Sequence, residues 1–149
     1  MKWLDIPPLW LALLIAVAWA QARFLPTGVS VAGRGAGLIA ALLIGAGLVL
    51  MAMAVLEFGR HRTTVVPHLT PRALITTGIF SRTRNPIYLG DTLVLAGAVL
   101  WLDAPLGLAL VPVFVLIIQK RFILPEEDRM RAVFGGQFEG YAKNVRRWV

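Results

Sequence analysis

Residues 35–56 run for 22 positions without a single charged side chain. As a helix this stretch is about 33 Å long, close to the roughly 30 Å hydrocarbon thickness of a bilayer. A soluble fold has no ready place for such a segment. In lipid a helix is the simplest solution, because it satisfies every backbone N–H and C=O internally. The remainder agrees: 58% of the 149 residues are hydrophobic and only 15% are charged, against about 45–50% apolar in ordinary soluble domains.

Three further apolar runs fit around this one: about Pro8–Phe24, Ile87–Leu102 and Ala104–Ile118. The first has features of a secretory leader, with Lys2 before it and Ala18-Trp19-Ala20 resembling a cleavage site. Trp10 and Trp19 at its ends suit interfacial anchoring better, so it reads as a retained span. The third and fourth runs are short and meet at Asp103-Ala104-Pro105, a tight turn that makes them a helical hairpin. The predicted fold is an all-α integral membrane protein with about four transmembrane helices and a cytoplasmic amphipathic tail. It forms a single domain: two spans in 1–56, a loop in 57–86, and the hairpin plus tail in 87–149.

Basic residues orient the bundle. Lys2, Arg60, Arg62, Arg72, Arg82, Arg84, Lys120, Arg121, Arg129, Arg131, Lys143, Arg146 and Arg147 fall on one side; only Arg23 and Arg34 fall on the other. The positive-inside rule then places both termini and the 57–86 loop in the cytoplasm, in an inner membrane. The net charge of +7 flanks the spans rather than forming a stripe with interleaved aromatics, which argues against nucleic acid. There is no cysteine, and two scattered histidines with one Glu-Glu pair give no metal-ligand spacing, so no metal is expected. Gly33, Gly37, Ala41 and Gly45 recur every four residues, a small-residue face for helix packing within the chain or for a homodimer.

The chemistry concentrates at the two ends of the hairpin. Before it stands Gly78-Ile79-Phe80-Ser81-Arg82-Thr83-Arg84-Asn85-Pro86-Ile87-Tyr88-Leu89-Gly90; after it comes Pro125-Glu126-Glu127-Asp128. A hairpin brings these two clusters to one membrane face. Together they offer carboxylates, guanidinium groups, an amide and an aromatic ring, a set that matches a zwitterionic, cationic, partly aromatic ligand. Three acids after Pro125 also suit a plain helix start. His61 and His68 are acid–base candidates or surface histidines. Asp91, one turn into a span, reads as a salt-bridge partner of Arg84 or Arg82, or as a substrate contact.

The order and spacing of these motifs resemble the isoprenylcysteine carboxyl methyltransferase family, membrane enzymes related to the phospholipid N-methyltransferases. That family has Gly-x-Tyr, then Arg-His-Pro-x-Tyr-x-Gly, one hairpin, Glu-Glu, Phe-Gly-x-x-Tyr-x-x-Tyr and a basic end. Here the counterparts are Gly78-Ile79-Phe80, Arg84-Asn85-Pro86-Ile87-Tyr88-Leu89-Gly90, Glu126-Glu127 and Phe134 to Tyr141, with Arg146-Arg147 after them. The resemblance implies S-adenosylmethionine as methyl donor, lined by Gly78, Asn85, Pro86, Tyr88 and Glu126, with Glu126 on the methionine ammonium. It implies a lipophilic acceptor, a prenylcysteine-like carboxylate or a lipid amine. Asn85 replaces the family's histidine, and Phe80 and Phe138 replace tyrosines. An arginine that contacts substrate four residues before the first glutamate is Phe122 here, with Arg121 beside it. Glu127, Arg121 and His61 are the candidate catalytic residues. Two other classes share these features: a membrane reductase using NADPH and a non-catalytic accessory subunit.

Overall fold

The computed structural model describes residues 5–25, 27–63 and 73–149. Lys2, His68 and Arg72 lie outside them, with the rest of residues 64–72 of the 57–86 loop. The described residues fold into helices α1 (Pro7–Phe24), α2 (Ala36–Arg60), α3 (Pro86–Trp101), α4 (Leu110–Ile118), α5 (Leu124–Phe134) and α6 (Gly136–Asn144). Short 3-10 turns at Gly78–Ser81 and Pro105–Ala109 precede α3 and α4. Among them, α1, α2 and the run Pro105–Phe134 are long and apolar enough to cross a membrane. Helix α3 is a shorter apolar helix of 16 residues, about 24 Å long.

Prolines and glycines set the boundaries. Pro7 and Pro86 stand in the first turns of α1 and α3, where a missing N–H costs no helical bond. The turn between α3 and the next helix is closed by Asp103, whose carboxylate accepts from the Ser30 hydroxyl at 2.8 Å and from the Val31 and Ala32 N–H groups at 2.7 and 3.0 Å. That clasp ties the α1–α2 connection to the hairpin tip. The hydrogen bonds, from Ser30 first, hold the Asp103 carboxyl below the usual carboxylate range.

The expected break between the fourth span and the tail is absent. Helix α4 passes into α5 through a π turn at Gln119–Ile123, with the Leu124 N–H reaching back to the Gln119 carbonyl. Pro125 explains the widening: it has no N–H for the Arg121 carbonyl and its ring crowds that position. The π turn leaves Phe122 and Ile123 buried and Arg121 exposed.

The small-residue face also differs from expectation. Gly33, Gly37, Ala41 and Gly45 all point away from the chain's own helices, with nothing within 4 Å of a methyl group placed on Gly33, Gly37 or Gly45. The packing seam of α2 is instead Ala40, Gly47 and Ala54, all buried. A methyl group on Gly47 would stand 2.6 Å from the Gly90 carbonyl oxygen, and one on Gly97 2.8 Å from the Ala40 carbonyl oxygen. Backbone-to-backbone approach at this seam fixes α3 against α2. Helices α1 and α4 complete a core of Leu14, Ala18, Leu95, Val99, Phe114, Ile118 and Phe122 around the inner face of α3.

Candidate functional site

Helix α3 begins where the chain end returns. The Asn85 side-chain amide donates to the Arg147 carbonyl at 2.9 Å, and the Arg84 N–H donates to the Arg146 carbonyl at 3.0 Å. One turn along α3, the buried Tyr88 donates its hydroxyl to Glu126 Oε1 at 2.7 Å. Its ring lies 6.4 Å from that of Phe122. The two motif clusters flanking the hairpin therefore meet.

Glu127, about 100° further around α5, faces a different set of partners. Arg147 forks onto it, Nε to Oε1 at 2.8 Å and Nη2 to Oε2 at 2.9 Å. Arg84 Nη1 stands 3.1 Å from Oε1 and Arg131 Nη2 3.6 Å from Oε2. Glu127 is buried, and this pairing is the compensation its charge requires. A carboxylate held by three guanidinium groups is a poor proton acceptor. Glu127 thus serves as the hub that fastens α5, the loop before α3 and the chain end to one another. The Arg84 Nε and Nη1 are buried without a hydrogen-bond acceptor.

Between these elements lies a cavity of about 110 Å³. Phe58, Phe80, Phe138 and Tyr141 supply its aromatic surface; Arg84, Asn85, Glu126 and Glu127 supply its polar groups. Phe58 and Phe80 meet edge to face at 5.4 Å. The Tyr141 hydroxyl donates to the Phe80 carbonyl at 2.7 Å, and burial pushes its pKa up to about 12. Tyr141 is therefore a fixed donor at neutral pH.

The other expected site residues sit elsewhere. Pro86 is buried at the start of α3 and does not line the cavity. Gly78, at φ +56°, faces Glu57; a methyl group there would stand 2.6 Å from the Glu57 carboxylate. That carboxylate accepts from Thr77 at 2.9 Å and from Arg60 at 2.7 Å. His61 belongs to the same cluster, its Nδ1 2.9 Å from the Glu57 carbonyl and its Nε2 3.5 Å from the Thr77 hydroxyl. Gly78 and His61 thus shape the junction of α2 with the 3-10 turn. Arg121 pairs with Asp5 at 2.7 Å and lies over the Trp10 ring at 5.4 Å, where it fastens the start of α1 rather than lining the cavity. Asp91 has no ion pair among the described residues; Arg84, its expected partner, is given to Glu127. Sequence reasoning placed Arg84 in the cluster before the hairpin but missed Arg147, Phe58 and Met130 as parts of the site. For Arg147 the available signal was its place in the motif's basic end, used there only to orient the bundle.

Residues 36–137 match the model of the phospholipid methyltransferase family. The chain belongs to that family. A second similarity, 35% identical over 63 residues, covers 42% of this chain and the whole of an uncharacterized protein of Haemophilus influenzae. The family match opens at the first residue of α2 and ends inside α6. It contains the α2–α3 seam, the Tyr88–Glu126 pair and the Glu127 hub, whereas Arg147 lies beyond it. With its apolar helices, the protein is an integral membrane protein of a methyltransferase family, and a lipid substrate is consistent with that family.

Proposed function

We propose that the protein transfers the methyl group of S-adenosylmethionine to a lipophilic acceptor held in the bilayer. The observation that carries this reading is the 2.7 Å contact of Tyr88 with Glu126 at the rim of an aromatic-walled cavity. The donor set fits. Glu126 supplies a carboxylate for the methionine ammonium, and the buried Arg84 Nε–H, which has no acceptor among the described residues while Nη1 pairs with Glu127, suits its carboxylate. The rings of Phe58, Phe80 and Phe138 suit the adenine. Asn85 holds the chain end through the Arg147 carbonyl, and so closes the cavity beside the cofactor. When bound, the cofactor supplies an electrophilic methyl group on a sulfonium whose leaving thioether needs no acid.

The protein's contribution is then alignment and exclusion of water. Holding donor and acceptor in line is worth effective molarities of about 10⁵ M or more. Tyr88, packed with Phe122 in the apolar core outside the cavity lining, holds the Glu126 carboxylate in place. Glu127 and His61 act as positioning residues, whereas Arg121 fastens the start of α1 through Asp5. The acceptor reaches the site laterally from the membrane, as a prenylcysteine-like carboxylate or a lipid amine. Both termini face the cytoplasm across an inner membrane, and the outward Gly33, Gly37, Ala41, Gly45 face is where a second copy would pack.

The test is product analysis. Purified protein is incubated with methyl-labelled S-adenosylmethionine and total native lipid extract, and the lipid fraction is read by mass spectrometry. Label is expected in a lipid product and is lost in Glu126→Ala. NADPH consumption without methyl transfer would replace this reading with a reductase.

A further inference from the structure

Arg147 does not line the cavity, yet it grips a residue that does, Glu127. After α6 the backbone turns extended at Val145, with φ −120° and ψ 127°. Residues 145–149 then run beside the start of α3 and are pinned around Arg147. The Arg84 N–H donates to the Arg146 carbonyl at 3.0 Å. The Asn85 amide and the Thr83 hydroxyl donate to the Arg147 carbonyl at 2.9 and 3.4 Å. One residue on, the Trp148 indole N–H donates to Gln119 Oε1 at 3.1 Å, and the ring packs against the apolar core. Fixing a long side chain costs rotamer freedom. Here the backbone beneath it is already fixed, so the guanidinium is delivered to one place.

That delivery decides what Arg84 can do. Arg147 takes both oxygens of Glu127, at 2.8 and 2.9 Å. Arg84, which lines the cavity, stands 3.1 Å from Oε1, within ion-pair range, but its buried Nε and Nη1 have no hydrogen-bond acceptor. Its charge is compensated while its donors stay uncommitted. With Arg147 gone, both Glu127 oxygens would be open to Arg84, and a bidentate guanidinium–carboxylate pair is among the strongest contacts it could make. Arg131 is a weaker competitor, 3.6 Å from Oε2 and more exposed. We propose that Arg147 is a positioning residue of the cofactor site: by occupying Glu127 it leaves the donors of Arg84 to the carboxylate of the ligand. The inference rests on the methyltransferase reading above and adds to it a residue beyond the stretch matched by the family.

Arg147 acts here through Glu127 and Arg84 and makes no contact of its own with the ligand. Its loss therefore changes the preference between ligands with and without a carboxylate. A role confined to holding the fold would weaken both ligands alike. The exchange also has a signature in combination. If Glu127 is made neutral, no carboxylate competes for Arg84, and Arg147 becomes dispensable for the preference.

The experiment is calorimetric titration of the full chain in detergent with two probes, S-adenosylhomocysteine and its decarboxylated analogue, which keeps the ammonium and lacks the carboxylate. The parent protein should prefer S-adenosylhomocysteine by about tenfold or more, the value of a charge-assisted contact. In Arg147→Gln that preference should fall to about threefold or less, as Arg84 turns to Glu127. In Arg147→Gln combined with Glu127→Gln it should return to about tenfold. Arg147→Lys keeps the charge but cannot fork; it should lower the preference in the same direction and serves if Arg147→Gln does not accumulate. Glu127→Gln alone should keep the preference and stands in if the combined variant does not accumulate. The proposal is overturned by a parent protein that binds the two probes equally, by a preference in Arg147→Gln within about twofold of the parent, or by a combined variant that stays at the lowered preference. Each of those results leaves cofactor binding itself intact. Failure of the parent protein to bind either probe would remove the methyltransferase reading first, and this inference with it.

Discussion

Replacing Glu127 with glutamine tests how the site is held together. The substitution keeps shape and removes one charge that three guanidinium groups share. Leaving a buried partner uncompensated costs about 3–5 kcal/mol. Here the arginines differ in access to water: the Arg84 side chain is 12% exposed, Arg147 30% and Arg131 43%. The last two regain hydration, so the expected loss is smaller, about 2–3 kcal/mol, with most of it from Arg84. For a chain of this size that is a fall in unfolding temperature of about 4–10 °C in detergent. The double variant Arg84→Gln with Glu127→Gln should recover part of the loss, since it removes the stranded charge. Limited proteolysis should show the segment after Asn144 cut sooner in Glu127→Gln, because Arg147 loses its fork. An unfolding temperature within about 1 °C of the parent, with unchanged proteolysis, would refute the hub.

Further expectations concern packing, the turn and the start of α1. Gly47→Ala forces a methyl group onto the Gly90 carbonyl oxygen at 2.6 Å, so thermal unfolding should register a loss of about 1–3 kcal/mol. Gly37→Ala meets nothing within 4 Å and should stay within about 0.5 kcal/mol of the parent in the same assay. The folded-state pKa of Asp103 lies below its unfolded value. Its clasp therefore contributes fully above about pH 4 and is lost as pH falls through the folded value. The stability gap between parent and Asp103→Asn should accordingly shrink in unfolding scans taken from about pH 6 down to about pH 3. Arg121→Ala removes a half-exposed pair with Asp5; it should leave the unfolding temperature within about 2 °C of the parent and methyl transfer unchanged.

What was legible in the sequence depended on whether a feature is local. Helix α2 was readable because an uncharged run of that length has one solution in lipid. The meeting of Tyr88 with Glu126 was readable because the turn at Asp103 forces the ends of the hairpin together. The seam of α2 was not. Its helix carries small residues on two faces, and only the docking of α3 selects Ala40, Gly47 and Ala54 over Gly37, Ala41 and Gly45. Pro125 suggested a fresh helix, whereas the chain absorbs it in a π turn whose cost is met by burying Phe122 and Ile123. The role of Arg147 depends on α6 turning back after Gly135, at φ +51°, a long-range consequence that spacing does not reveal.

The central claim is that Tyr88 and Glu126 jointly hold a sulfonium nucleoside. Isothermal titration of the detergent-solubilised protein with S-adenosylhomocysteine measures it most directly. The account predicts saturable one-to-one binding, weakened about tenfold or more in Glu126→Gln, the loss expected for a charge-assisted contact. Binding unchanged in Glu126→Gln, or no binding by the parent protein, would contradict it.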